Sequence, residues 1–343
     1  MSLKVTLFGG TGQGKTTYTL GLLYLMVEGI DGFRIEDEDV DTTTKYMKPW
    51  SDFVMVKQWP APTMGRREDR FKLYFQDQFI TDFLWVDYQG GAINQPTDES
   101  DAAAQLHADI QESNAVIIVA DAYTIATRPL IEARMLTSAP LVFHLLNSYK
   151  FKPAQEGQGD LNQGISIAIV LTKADALPEE YKVNDYEKLY AKARQVFHGI
   201  HDFIREERAK VSSLRPWLYP SAMLAVSIVG EGNAAVASEG QGYDLASFQL
   251  IGSPEPEDIQ YPFLYAIGNE LDRNALTLEE EIGDLESRLS KLDSNVLSRI
   301  LRGRTIRQLQ EERQETAARL KELEPKIRTV TRTANKKMRP LLV

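Results

Sequence analysis

The stretch Gly9-Gly10-Thr11-Gly12-Gln13-Gly14-Lys15-Thr16-Thr17 sets four glycines, a lysine and three threonines between two apolar runs. Gly9, Gly14, Lys15 and Thr16 have the spacing of a phosphate-binding loop. Glycines let a backbone wrap an anion with its N–H groups turned inward, where side chains would block the approach. A helix starting near Lys15 would present unpaired N–H groups and its positive dipole end to the same anion. Lys15 can reach the terminal phosphates, and the Thr16 hydroxyl suits a magnesium ion riding on them. The plainer alternative is a glycine turn joining a strand to a helix. The complete pattern instead predicts nucleotide phosphate binding along Gly9 to Thr17, with Lys15 as the catalytic cation.

Two further groups refine that chemistry. Asp87 closes the apolar run "FLWVD" and begins Asp87-Tyr88-Gln89-Gly90, so its carboxylate can hold magnesium opposite Thr16. Gly90 would let a backbone N–H approach a γ-phosphate and counts as catalytic on that ground. Spacing alone is weak evidence here, since about one Asp-x-x-Gly arises by chance in a chain of this length; its place after a strand gives it value. Thr172-Lys173-Ala174-Asp175 follows "ISIAIVL". A carboxylate at 175 can accept both the ring N–H and the exocyclic amino group of guanine, a bidentate pair adenine cannot match. Lys173 can lie over the base and hold the phosphate loop.

With these three motifs in order, residues 1–272 resemble the Ras-like, TRAFAC-class P-loop GTPases. "GGTGQGKT" matches their phosphate loop, "DYQG" their Asp-x-x-Gly motif and "TKAD" their guanine motif in its threonine form. The resemblance implies GTP/GDP and Mg2+ as cofactors, with Thr172, Lys173 and Asp175 at the base. It also implies a switch threonine that senses magnesium and γ-phosphate. Thr63 in "WPAPTMGRREDRFKLYF" is the candidate, as catalytic and metal-binding residue, because it follows a proline and precedes the strand expected to pair with "FLWVD". Thr42 to Thr44 lie too far upstream for that hairpin. Ser227 and Ile228 are expected to wrap the base from the last strand, in preference to Ser221-Ala222-Met223. The family's water-orienting glutamine is replaced by Gly91, with Gln89 and Gln95 nearby, which implies slow intrinsic hydrolysis. Arg66 and Arg67 are candidate arginine fingers, although solvated loop charge is the commoner role of such a pair.

These residues need a scaffold that brings strand ends together. Runs of strand length ("KVTLFG", "FKLYF", "FLWVD", "AVIIVAD", "ISIAIVLTKAD", "MLAVSIVG") alternate with helical stretches expected at about 16–28, 101–112 and 186–210. Several runs are continuously apolar, as in strands covered on both faces. The alternation predicts an α/β fold with a doubly wound, mostly parallel P-loop NTPase sheet, whose ligands sit at the carboxyl ends of the strands. Segments 152–164 and 230–260 read as surface insertions rich in glycine and polar residues. Glu36, Asp37, Glu38, Asp39 and Asp41 read as a solvated loop rather than a cation site, since nothing makes them converge.

The last part differs. Leu278, Ile282, Leu285, Leu289, Leu292 and Val296 repeat at steps of four and three, and Ile306, Leu309, Leu320, Leu323, Ile327 and Val330 follow after a break at "RGR". The pattern predicts a C-terminal antiparallel coiled-coil helical hairpin, projecting rather than lying flat, over 273–337, with a tail over 338–343. The hairpin is the expected site for a protein partner, and its heptads leave homo-oligomerisation open. Lys326, Arg328, Arg332, Lys336, Lys337 and Arg339 form a basic end, read as a solvated helix end before a nucleic-acid or membrane contact. The chain has 343 residues, a net charge of −10, 43% hydrophobic residues and no cysteine, which excludes disulfides and thiolate metal sites. The absence of a membrane-length apolar run predicts a cytoplasmic protein.

The resulting expectation is a GTP-binding switch that hydrolyses GTP to GDP and couples nucleotide state to the arm. The alternatives are a GTP-binding scaffold without turnover and, less favoured, a P-loop ATPase. The latter would be expected to carry an acidic base beside Asp87, where Tyr88 stands.

Overall fold

The computed structural model describes residues 2–37, 40–90, 101–147, 164–210, 220–240, 244–293 and 303–341. β1 (Ser2–Phe8), α1 (Lys15–Glu28), β2 (Phe33–Asp37), α2 (Val40–Val56), β3 (Arg66–Phe75) and β4 (Gln78–Tyr88) come first. They are followed by α3 (Asp101–Glu112), β5 (Ala115–Asp121), α4 (Ala122–Thr127), α5 (Leu130–Leu136), α6 (Ala139–Asn147) and β6 (Ser166–Thr172). Then come α7 (Glu179–Lys182), α8 (Glu187–Val196), α9 (His198–Lys210), β7 (Ser221–Ala225), β8 (Ala234–Ser238) and β9 (Ser247–Leu250). The long helices α10 (Gln260–Asp293) and α11 (Gly303–Ala334) precede a short β10 (Arg339–Pro340).

Every residue of β5 and β6 is buried, so both faces of the sheet centre demand a helical cover. Eight strands form one sheet in the order β10-β7-β6-β5-β1-β4-β3-β2. β4, β1, β5, β6 and β7 run parallel, while β2, β3 and β10 add antiparallel edges. Two apolar cores result. Tyr18 of α1, Trp50 of α2, Phe263 of α10 and Val330 of α11 fill one face. Leu106 of α3, Val142 of α6, Leu189 of α8 and Ile204 of α9 fill the other. The sheet is thus doubly wound, and its reversal around β1 opens a crevice at the strand carboxyl ends.

Three details differ from or add to the sequence-based expectation. The stretch 186–210 is two helices, broken at Phe197, whose φ and ψ of −96° and 24° leave the helical region. Gly199 just beyond gives α9 a close approach to Phe143 of α6, where a Cβ would lie only 3.0 Å from the ring. Glu36 and Asp37 end β2 rather than lying in a loop, Asp41 falls in α2, and Glu38 and Asp39 lie outside the described residues. Within segment 230–260, β8 and β9 pair as an antiparallel hairpin that the composition did not suggest. The other expected insertion lies outside the described residues over 152–163.

The helix pair is antiparallel. Gly268 meets Thr331, and Glu286 pairs with Arg313, the same interval forward along α10 and back along α11. Phe263, Leu264, Ile267 and Leu271 belong to the sheet core, as do Ile327, Val330 and Ala334 near the end of α11. The proximal half of the pair therefore lies on the sheet instead of projecting from it, while Leu285 and Leu309 are buried farther out. α10 is continuous across residues 272 and 273. The basic end is largely tied down: Lys326 bonds Glu322, Arg328 lies 3.7 Å from Glu324, Lys337 bonds Asp258 and Arg339 bonds Asp185. Among the described residues, no helix is long and apolar enough to cross a membrane.

Candidate functional site

A cavity of about 410 Å³ opens where β1, β4, β6 and β7 end. At one end are the phosphate-loop residues. Gly14 caps α1 in the left-handed conformation (φ 87°), which glycine adopts without strain, and no side chain occupies the cap. The first N–H groups of α1 therefore remain open toward the cavity. Thr11, Gly12, Gly14, Lys15, Thr16 and Thr17 line it. The Lys15 ammonium donates to the Gly9 and Gly10 carbonyls, each at 2.9 Å. Burial pulls its pKa down to about 8 against the opposing charge of Asp87.

Thr16, Thr63 and Asp87 converge beside it. Thr63 donates its hydroxyl hydrogen to Asp87 Oδ2 at 3.1 Å, so the 2.9 Å contact between the two threonine oxygens must use the Thr16 hydrogen. The Thr63 amide also donates to Thr16 Oγ1, at 3.2 Å. Asp87 Oδ1 is buried without a hydrogen-bond partner. Burial pushes the Asp87 carboxyl up to about 6, opposed by Lys15, by Thr63 and by Arg67 across the strand pair. An orphaned carboxylate oxygen with two hydroxyls fits a hard cation. One carboxylate with two hydroxyls suits Mg2+, which keeps several waters and takes one or two carboxylates together with phosphate oxygens; among the described residues no group of three or more His, Cys, Asp or Glu is placed to hold a metal ion.

The other end is built on β6 and β7. Thr172, fully buried, donates to the Gln13 carbonyl at 2.6 Å and so braces the phosphate loop from behind rather than facing the cavity. Lys173 takes the left-handed conformation (φ 61°) and donates to Gly12 O at 3.0 Å and to Asp121 Oδ2 at 2.6 Å. This bridge fixes the loop to the ends of β5 and β6. Asp175 lines the cavity, and burial pushes its carboxyl up to about 6 despite a hydrogen bond from Ser227. Ser227 Oγ donates to Asp175 Oδ1 at 3.1 Å and accepts from Gly230 N at 2.8 Å, while Ile228 forms cavity wall. Ser221 starts β7 in register with Ile167 near the start of β6, at the wrong end of the strand for the crevice.

Gly90 also lines the cavity, and a Cβ there would lie 2.6 Å from Thr11 Cα. Gly9 and Gly10 present their carbonyls to Lys15, and the Gln13 side chain is spent on Asp121 N and Leu136 O. Thr42 to Thr44 lie inside α2. Arg66 is not available as an arginine finger, because its guanidinium is bound to Asp109 and Glu68. Gln89 Oε1 is occupied by the Gly65 amide at 3.1 Å. Gly91 and Gln95 lie outside the described residues.

Asp109 of α3 collects Arg66, Lys4 Nζ and the Tyr88 hydroxyl, which ties the strand carrying Asp87 to the helix beyond it. The Lys4 amide donates to Asn114 Oδ1, and Asn114 Nδ2 donates to Glu270 of α10.

Sequence reading missed one wall of the cavity. Trp59, Pro60 and Pro62 enter from the segment before Thr63, and Ala246, Ser247 and Phe248 from the β9 side of the hairpin. The aromatic and proline content of "WPAP" was a usable signal for the first group. "SFQL" held none.

No protein-family description matches the chain, and no curated protein matches it. Solved structures that resemble it include the Ski7 GTPase-like domain of S. cerevisiae bound to GDP and inorganic phosphate, at 10% identity and a TM-score of 0.35. The same domain bound to GTP gives 12% and 0.36, each likeness covering 66% of this chain and 43% of that one. The cytosolic domain of the T. maritima FeoB iron transporter in apo form gives 15% and 0.28, over 66% of this chain and 57% of that one. This chain thus spans less than two thirds of the length of each.

Proposed function

We propose that the chain binds guanine nucleotide as a P-loop protein and hydrolyses GTP to GDP with Mg2+. One observation carries the reading: Lys15, Thr16 and Thr63, the last bonded to the buried Asp87, line the same cavity as Lys173 and Asp175. Lys15 and the N–H groups of α1 would hold the phosphates, and Asp175 would accept two N–H groups of guanine. Thr16, Thr63 and Asp87 would hold the magnesium, which supplies charge neutralisation to the phosphoryl oxygens. Thr63 and Gly90, each in a loop facing the phosphate end, would sense the γ-phosphate. The GTPase unit over residues 1–272, an arm over 273–337 and a partner engaged through that arm belong to the same proposal.

A second reading, GTP binding without appreciable turnover, is favoured by the engagement of Arg66 with Asp109 and of Gln89 with Gly65. Calorimetric titration with GTP and ATP, beside phosphate release in Mg2+, separates these readings. The enzyme reading expects GTP preferred over ATP, that preference lost in Asp175→Ala, and phosphate release abolished in Lys15→Ala. Preference without release favours the second reading. Equal or better ATP binding overturns both.

A further inference from the structure

Two segments distant in sequence meet over the cavity. The Trp59 indole N–H donates to the Phe248 carbonyl at 2.8 Å, and Lys57 Nζ donates to the Ile251 carbonyl at 2.8 Å. Both bonds fasten the segment leading to Thr63 onto the β8–β9 hairpin and the residue following it. The Trp59 ring is backed by Phe53, with centroids 5.1 Å apart, and stands 37% exposed at the cavity mouth. The Phe248 ring is set edge-on to Tyr123 at 5.4 Å and lies 4.7 Å from the Lys173 ammonium. Phe248 therefore faces the end of the cavity that contains Lys173 and Asp175, and Trp59, bonded to its carbonyl, lines the same cavity beside it.

Resting on the guanine-nucleotide reading above, we propose that Trp59 and Phe248 form a clasp over the nucleoside end of the cleft. Its indole-to-carbonyl bond limits the rate at which bound nucleotide leaves, and its state follows Thr63. The physical link is Pro60-Ala61-Pro62. Only these three residues separate Trp59 from Thr63, and each proline ring locks φ and removes an N–H. With two of its three φ angles locked and Ala61 restricted by the proline that follows it, such a segment has few rotations to absorb a displacement at Thr63 and passes much of it to Trp59. When Thr63 is held at the phosphate end, the clasp stays shut; when that hold is lost, the Trp59 bond is strained and the nucleoside is freed. The hairpin thereby acts as a positioning element for the nucleotide without touching its phosphates.

The test uses the full chain loaded with fluorescent GDP or a fluorescent nonhydrolysable GTP analogue in Mg2+, chased with excess unlabelled nucleotide in stopped flow. Trp59→Phe keeps a ring and loses the N–H. It is expected to speed GDP-analogue release less than GTP-analogue release, which should rise roughly fivefold, the worth of one exposed hydrogen bond. The ratio of the two release rates therefore narrows. Lys57→Ala, altered outside the cavity, should act in the same direction and guards against a misfolded first variant, as does a melting curve of each. Unchanged release in both variants overturns the clasp. Equal acceleration of both nucleotides overturns the link to Thr63. A wild-type chain that takes up no guanine nucleotide overturns the underlying function instead.

Discussion

Asp175 makes nucleotide recognition pH-dependent in a calculable way. Only the carboxylate can accept two N–H groups from guanine, yet burial in the cavity wall lifts this group from 3.8 to about 6. Guanine binding must therefore expel a proton below pH 6, and affinity falls about tenfold per pH unit there. At pH 5 roughly one Asp175 in ten is ionised, so binding is about tenfold weaker than at pH 7. A terminal phosphate titrates in the same range, with a second pKa near ~6. The quantity to read is therefore the ratio of the dissociation constant of Asp175→Ala to that of wild type, measured by calorimetry from pH 5 to 7.5. That ratio should shrink about tenfold on going from pH 7 to pH 5. The unliganded protein should show the opposite sign. A folded-state pKa above the unfolded one stabilises at low pH, fully below 3.8, and the contribution is lost as pH rises through about 6. Relative to Asp175→Asn, wild-type unfolding free energy should drop by about 2 kcal/mol between pH 4 and 7, because part of the contribution is already gone at pH 4. A ratio that stays constant with pH refutes the assignment of Asp175 to the base.

The remaining predictions concern the frame. In Gly9→Ala, the new Cβ would lie 2.3 Å from the Val119 carbonyl oxygen of β5, a backbone atom that cannot step aside. The phosphate loop must lift from the sheet, at a cost of about 2 kcal/mol in a denaturant titration and with loss of nucleotide affinity; an unaltered midpoint and affinity would contradict the packing. In Asp109→Ala, Lys4 and Arg66 lose their shared carboxylate while only 12% and 23% exposed. Partial solvation places the cost near the lower end for broken buried pairs, about 3 kcal/mol by urea unfolding, with Asp109→Asn intermediate because it can still bond Tyr88. A change below about 1 kcal/mol would mean that the remaining partners, Glu112 for Lys4 and Glu68 for Arg66, satisfy these charges without Asp109.

What the sequence disclosed depends on whether a residue's role is carried by its own chain neighbours. Asp87 closes one apolar run, Asp175 follows another within a short turn, and Lys15 lies at the far side of the glycine loop that leaves a third; strand ends fix where such side chains go, so their convergence could be anticipated from spacing. β5 and β6 were legible for the same reason, since a wholly apolar run has few other places to be. β2 was missed because "FRIED" is charged, although Phe33 and Ile35 alternate inward with Arg34 and Glu36 outward, the period-two signature of an edge strand. α2 was missed although Tyr46, Trp50 and Phe53 recur on one buried face, because Pro49 and three threonines obscured the helical period. Arg66 shows the limit from the other side: its neighbours suggested an arginine finger, but a carboxylate 43 residues away on α3 claims the guanidinium. Phe248 was harder still. Trp59 meets its backbone carbonyl, and a carbonyl is the same in every residue, so no letter of the sequence marks position 248 as the acceptor. Only the pairing of β8 with β9 brings that carbonyl to the cavity mouth. The hairpin, inside a stretch whose glycines and polar residues read as a surface insertion, is therefore the element that gives the cleft its second wall.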